Sequence, residues 1–250
     1  MKENAIIETK DLTKIYDGQA AVDHLNFDVY KGEIFGFLGP NGAGKTTTLL
    51  MLLGLTEPTS GKAKVFGVDP ARDPIKVKSM IGYLPENVGF YRDLNAWQSL
   101  NFIARLNNIP HDKAEERIVN ALTTVGLYNE AEKKVGAYSR GMRQRLGIAE
   151  VLVKKPELAF LDEPTLGLDP DTTHRIIELI QMLCKEKKMT VLLSSHLLHQ
   201  VQKISNRVGI MIKGQMVAHG NIDDLAKEKL GFGQEKFTLE EIYMKYFKEA

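Results

Sequence analysis

The chain has 250 residues, 43% hydrophobic and 26% charged, the proportions of an ordinary globular protein with room for one large α/β domain or two small ones. Its 33 basic and 32 acidic residues leave a net charge of +1, so no nucleic acid or acidic membrane partner is expected on electrostatic grounds. No run approaches the roughly 20 apolar residues of a spanning helix, and Met1–Glu8 carries acids where a signal peptide would be apolar.

Along the chain, Leu25, Phe27 and Val29 alternate with Asn26, Asp28 and Tyr30, the period of a half-buried strand. The apolar run Ile34–Leu38 then leads into Gly39-Pro40-Asn41-Gly42-Ala43-Gly44-Lys45-Thr46-Thr47, and Thr48–Leu53 follows without a helix breaker until Gly54. This order of strand, glycine-rich loop and helix is the context in which G-x-x-x-x-G-K-[ST] marks a nucleotide phosphate site. The glycines let successive N–H groups turn inward as an anion nest, and the helix N-terminus adds donors and a partial positive charge. Lys45 can reach the β- and γ-phosphates, and the Thr46 hydroxyl can ligate Mg²⁺. A nucleoside triphosphate is the expected ligand.

Pro58–Gly61 reads as a turn, Val65-Phe66 as a short strand closed by Gly67, and Met80–Leu84 as a strand stopped by Pro85. From Leu94 to Val153 the pattern is helical: Asp93 or Asn95 can cap a helix through Leu106, and Asp112 one running toward Val125. Within Tyr138–Leu146, Ser139 is a natural N-cap, and such a helix terminus is a second candidate anion site. Leu158–Leu161 is an apolar strand ending in Asp162 and Glu163. Ligands gather at the carboxyl ends of parallel strands, so Asp162 is placed to hold Mg²⁺ through water and Glu163 to orient and deprotonate an attacking water.

A helix from about Asp171 to Lys187 follows, carrying the single Cys184, whose lack of a disulfide partner suits a reducing cytosol. Thr190–Ser194 reads as a strand, Leu197 to about Ser205 as a helix, and the stretches near Val208–Ile212 and Met216–Ala218 as strands. The end, Thr238–Ala250, has an amphipathic helical pattern. Strands first, a helical insertion, then alternating β and α predict a mixed sheet with a mostly parallel core.

From about Ile6 to Gly220 the chain resembles the nucleotide-binding subunits of ABC-type transporters. The motifs stand in the family's order. Gly39–Thr47 is a Walker A loop, Ser139–Met142 a signature loop, Leu158–Glu163 a Walker B strand with its glutamate, and Gly167-Leu168-Asp169 a D-loop. Ser194-Ser195-His196 carries the switch histidine, and Tyr16 falls where the family stacks an aromatic on adenine, a contact any purine could make.

The resemblance implies an ABC ATPase fold: an α/β P-loop NTPase core with a mostly parallel sheet, an N-terminal antiparallel β-subdomain and a helical insertion at about 87–155. All of this would lie within 1–230, followed by a helical tail at 231–250. It implies an ATPase in which Lys45, Glu163 and His196 are catalytic. The nucleotide would be held by Tyr16, by Gly39, Pro40, Asn41, Gly42, Ala43, Gly44, Lys45, Thr46 and Thr47 of the loop, and by Glu86; Mg²⁺ would be held by Thr46, Asp162 and Glu86. Ser139, Gly141 and Asp169 would complete the ATP site of a second nucleotide-binding subunit, head to tail. The remaining implied partner is an integral membrane permease, which would place the protein on the inner face of the cell membrane.

Two positions depart from the family's familiar form. Glu86 replaces a glutamine, adding negative charge near the nucleotide, and Tyr-Ser-Arg-Gly-Met replaces Leu-Ser-Gly-Gly-Gln. Arg140 therefore fills a glycine position, which implies that no positive φ is needed there. Both variants resemble the drug, antibiotic and polysaccharide exporter branch. Competing readings are a soluble ABC-type ATPase acting on ribosomes or DNA and a nucleotide-sensing regulatory module. The former usually shows a second such domain or a long coiled coil, which this sequence lacks; Glu163 and His196 argue against the latter.

Overall fold

The computed structural model describes residues 5–205, 207–230 and 237–249. The extreme N-terminus read against a signal peptide (1–4) and the start of the tail (231–236) lie outside the described residues. Strands β1 (Ala5–Tyr16), β2 (Gln19–Leu25) and β3 (Asp28–Tyr30) pair antiparallel, through Leu12↔Leu25 and Glu8↔Asp28. The alternating stretch from Leu25 to Val29 is thus two strands. The β1–β2 register shifts between Leu12 and Lys14, and Asp11 takes φ 49, yet Leu25, Phe27 and Val29 all stay buried.

Strand β4 (Ile34–Leu38), buried throughout, leads through the glycine loop into helix α1 (Lys45–Leu52). Strand β5 (Ser60–Val65) returns to pair with β1, so Ser60 and Gly61, expected in a turn, belong to a strand that ends where Phe66 takes φ 51. Helix α2 (Pro74–Met80), capped by Asp73, absorbs Met80 and leaves β6 as Ile81–Leu84.

The helical block follows as α3 (Ala96–Leu106), α4 (His111–Thr124) and α5 (Arg140–Val153). Asn95 caps α3 with a capping box: its side chain accepts from Gln98 N–H while Gln98 accepts from Asn95 N–H, both at 2.9 Å. Helix α4 starts two residues earlier than expected, directly after Pro110, so Asp112 lies inside its first turn, where its charge complements the helix dipole without capping. Ser139 caps α5, accepting from Met142 N–H at 3.2 Å.

Then come β7 (Leu158–Asp162), α6 (Pro170–Lys187), β8 (Thr190–Ser195), α7 (Leu198–Ile204), β9 (Arg207–Ile212) and β10 (Gln215–Asn221). They complete a six-stranded sheet of order β10-β9-β4-β8-β7-β6, parallel except for the antiparallel β10–β9 pair. Helices α8 (Ile222–Leu230) and α9 (Leu239–Glu249) end the described chain; α9 buries Leu239, Ile242 and Tyr246 and leaves Phe247 exposed.

Both faces of the central sheet are covered, so its strands read as continuous apolar runs. Phe35, Phe37, Phe160 and Leu192 pack into one core with the antiparallel sheet and α1. Their strand neighbours Ala159, Leu161, Val191 and Leu193 pack into another with the helical block and α6. Each such buried Phe, Leu or Val side chain contributes about 1.5–3 kcal/mol relative to exposure. This is the architecture the resemblance implies. Among the described residues no helix is long and apolar enough to cross a membrane.

Burial pushes the carboxyl of Glu150, half-buried on α5, up to about 7 from an ordinary 4.5. The folded chain therefore holds this proton over a pH range in which the unfolded chain releases it. The associated stability is full below about pH 4.5 and lost as pH rises through about 7. Glu150→Gln is expected to melt about 2 °C or more above the wild type near pH 8 and level with it near pH 4. Scanning calorimetry at the two pH values checks this; superimposable melts near pH 8 would contradict it.

Candidate functional site

The loop between β4 and α1 is built around backbone that only glycine adopts freely. Gly44 has φ +100, and a Cβ there would lie 2.3 Å from the Ala21 carbonyl oxygen of β2. Gly39 is similarly closed in, by the Met211 carbonyl at 2.3 Å. The loop is thus clamped between the antiparallel sheet and β9, and its Ala43 carbonyl accepts from Gly214 N–H at 3.1 Å. Lys45, 6% exposed, folds back so that Nζ donates to the carbonyls of Gly39 (2.7 Å) and Pro40 (3.1 Å).

Parallel pairing brings three strand ends level, with Leu38↔Ser195 and Asp162↔Ser194 in register. At these ends the Thr46 hydroxyl donates to Asp162 Oδ2 at 3.1 Å, and the Ser194 hydroxyl donates to Asp162 Oδ1. Ser194 also receives Glu163 N–H, at 3.1 Å on its carbonyl and 3.2 Å on its hydroxyl. Glu163 takes φ 47. That turn out of the strand sends its carboxylate to His196 Nδ1, 2.8 Å from Oε1, and within 3.9 Å of Lys45 Nζ. Glu163 Oε2 is buried without a hydrogen-bond partner among the described residues.

These groups open onto a cleft of 420 Å³ lined by Asn41 to Thr47, Ala21, Glu86, Asp162 and Glu163. Burial lowers the affinity of Lys45 for its proton, while Glu163, Asp162 and Glu86 pull the other way. Burial, with Asp162 and Glu86, likewise pushes the Tyr83 hydroxyl up to about 12, so it stays neutral beside the acids. The cleft therefore joins one buried cation and a glycine-rich loop at a helix N-terminus to three carboxylates. That combination accommodates a polyphosphate on the cation side, and on the acid side offers one hydroxyl and one carboxylate to a divalent cation.

Gly39 and Pro40 turn their carbonyls to Lys45 and border the opposite side of the loop, together with His196. Tyr16, 45% exposed at the β1–β2 turn with Lys14 Nζ 4.9 Å from its ring centre, does not line the cleft, although β2 meets the loop at Ala21. Ser139, Gly141 and Asp169 stand outside it too, and they stand together. Asp169 caps α6 through Thr172 N–H (2.9 Å) and hydroxyl (2.7 Å), and a Cβ on Gly141 would lie 2.5 Å from Thr172 Cγ2. The Arg140 guanidinium lies against Gly167, and Arg140 has no positive φ. Sequence reasoning missed Ser194 as a holder of both acids, and Ala21 as a wall of the cleft. The hydroxyl inside the apolar run Val191–Ser195 was the available signal for Ser194.

The family model for ABC transporters matches residues 22–166. The chain is 44% identical over 224 residues to the bacitracin transport ATP-binding protein BcrA of Bacillus licheniformis, a match covering 90% of this chain and 72% of that protein. It is 37% identical over 220 residues to the linearmycin resistance ATP-binding protein LnrL of Bacillus subtilis, covering 88% and 70%. A solved ATP-binding subunit of an ABC transporter superposes with a TM-score of 0.85 at 29% identity, covering 97% of this chain and 99% of that one.

Removing the Ser194 hydroxyl takes one of two bonds from a carboxylate that is 2% exposed. Ser194→Ala is expected to cost about 1–3 kcal/mol of folding stability, read as a lower urea midpoint. An unchanged midpoint would mean that Asp162 does not need this bond.

Proposed function

The chain belongs to the ABC transporter family as one of its ATP-binding and ATP-hydrolysing subunits, and from that premise we propose that it powers export through a separate membrane-spanning partner. The observation that carries the reading is the convergence of Lys45, Thr46, Asp162 and Glu163 on one cleft, with His196 hydrogen-bonded to Glu163. Similarity to the bacitracin and linearmycin proteins supports export, with a drug-like or peptide antibiotic as the class of cargo.

In this reading the loop N–H groups and Lys45 hold the β- and γ-phosphates, and Tyr16 stacks on the base. Thr46 and Asp162, with Glu86 nearby, hold Mg²⁺, which when bound neutralises charge on the phosphate oxygens. Glu163 Oε2 takes a proton from water as the water oxygen attacks the γ-phosphorus. The bond from that phosphorus to the bridging oxygen breaks, and ADP and inorganic phosphate result. His196 keeps Glu163 aimed through its bond to Oε1. Phosphoryl transfer asks little covalent chemistry of a protein, so such positioning accounts for most of the rate.

Ser139, Gly141 and Asp169 reach no nucleotide in their own subunit's cleft, which supports their facing the ATP of a second subunit, head to tail. Two triphosphates would then sit in the joint, and hydrolysis would remove charge that bridges the subunits. The segment around Glu86 and the helices after it would pass the motion to the membrane partner. The unit 1–230, with its helical part at about 87–155, would be the motor, and 231–250 an appended tail.

Lys45→Ala is expected to abolish tight ATP binding, a loss of at least about 10-fold by titration calorimetry; unchanged affinity would count against the loop. Glu163→Gln is expected to bind ATP, hydrolyse it at least about 100-fold more slowly and accumulate as a dimer with MgATP. Wild-type turnover would remove Glu163 from the base role, and a strictly monomeric species in light scattering would remove the head-to-tail pair.

A further inference from the structure

The C-terminal helix stands outside the phosphate cleft, yet it is tied to the segment that carries His196. Gln202 of α7 grips both backbone groups at the entrance to α9. Its Nε2 donates to the Phe237 carbonyl at 3.1 Å, and its Oε1 accepts from Leu239 N–H at 2.8 Å. Beneath this clamp Leu239 and Ile242 are fully buried. Tyr243, half-buried and stacked on Phe247 at 5.8 Å, then forms a wall of a second cleft of 320 Å³. Its other walls are Gly39, Pro40, Asn41, His196 and Leu198.

Helix α7 has little freedom of its own. It begins two residues after His196 and lies on β4 at Gly36, where a Cβ would fall 2.2 Å from Val201 Cγ1. Gln200 on the same helix accepts a hydrogen bond from Thr165, two residues past Glu163. The helix that follows the histidine is thus braced by the acid loop at Gln200 and by the start of α9 at Gln202. The imidazole itself is 31% exposed and is held by its bond to Glu163, so what borders the ring decides how well it keeps its angle.

We infer that Gln202 and Tyr243 are positioning residues, through which the C-terminal helix holds α7 and sets His196 against Glu163. The inference rests on the reading of His196 as the group that aims the hydrolytic carboxylate. Neither residue lines the phosphate cleft, so the signature is a change in turnover with nucleotide affinity preserved.

Steady-state ATPase kinetics on the full chain test it. Tyr243→Ala and Gln202→Ala are expected to lower kcat by about 5-fold with KM for MgATP unchanged, since mispositioning far from the chemistry acts on the rate. Tyr243→Phe, which keeps the ring, should retain wild-type turnover. In a His196→Ala background, Tyr243→Ala should lower kcat no further, because residues acting through one another are not additive. A multiplicative loss in that background would overturn the inference, as would a raised KM with kcat intact. Normal turnover by Tyr243→Ala beside a defective His196→Ala overturns this inference alone. Full turnover by His196→Ala overturns the role of the histidine and this inference with it.

Discussion

The shared register of β4, β7 and β8 is the constraint from which the rest of the site follows. Leu38, Asp162 and Ser195 end their strands at one level, so the phosphate loop, the acids and the histidine turn emerge side by side. Side chains alternate with a period of two, and a one-residue slip of β7 would exchange the faces of Phe160 and Leu161. The two cores forbid that slip, because one takes the phenylalanine and the other the leucine. Precision in the cleft is thus inherited from hydrophobic packing of the strand residues that lead up to the acids.

Electrostatics then act within a frame already fixed. Lys45 is buried among carbonyl oxygens and three carboxylates, a setting in which burial disfavours its charge and the acids restore it. Asp162 is hydrogen-bonded by two hydroxyl donors, and Glu163 meets the histidine through Oε1. An arriving polyphosphate meets a cation whose partners are backbone carbonyls, weaker competitors than a carboxylate at full contact; the nearest acid oxygen is 3.9 Å away. The extra acid at Glu86 shifts this balance, since it joins the same cleft and draws on the same lysine.

Local chemistry was the legible part of the sequence. Glycine spacing announced the loop, an apolar run ending in two acids announced β7, and Ser139 announced the start of α5, because each signal is complete within about ten residues. Where two local signals competed, the tertiary partner decided. Ser60 and Gly61 look like a turn alone but pair with Thr13 and its neighbours on β1, and Pro110 starts α4 ahead of Asp112. Ser194 beside Asp162, Ala21 beside Gly44, and Gln202 on the backbone of Phe237 and Leu239 were illegible for another reason. They join residues 23 to 37 positions apart, and nothing in either segment names the other.

The contact of Gly141 with Thr172, and of Arg140 with Gly167, has a mechanical corollary. The turn before α5 and the turn before α6 arise from distant parts of the chain, but these contacts pack them side by side, so that a shift of one presses on the other. In the proposed pairing they would meet the opposite subunit as a single tooth. Any tilt of the helical block would then be felt at both nucleotides at once, and the two halves of the joint would have difficulty opening in separate stages.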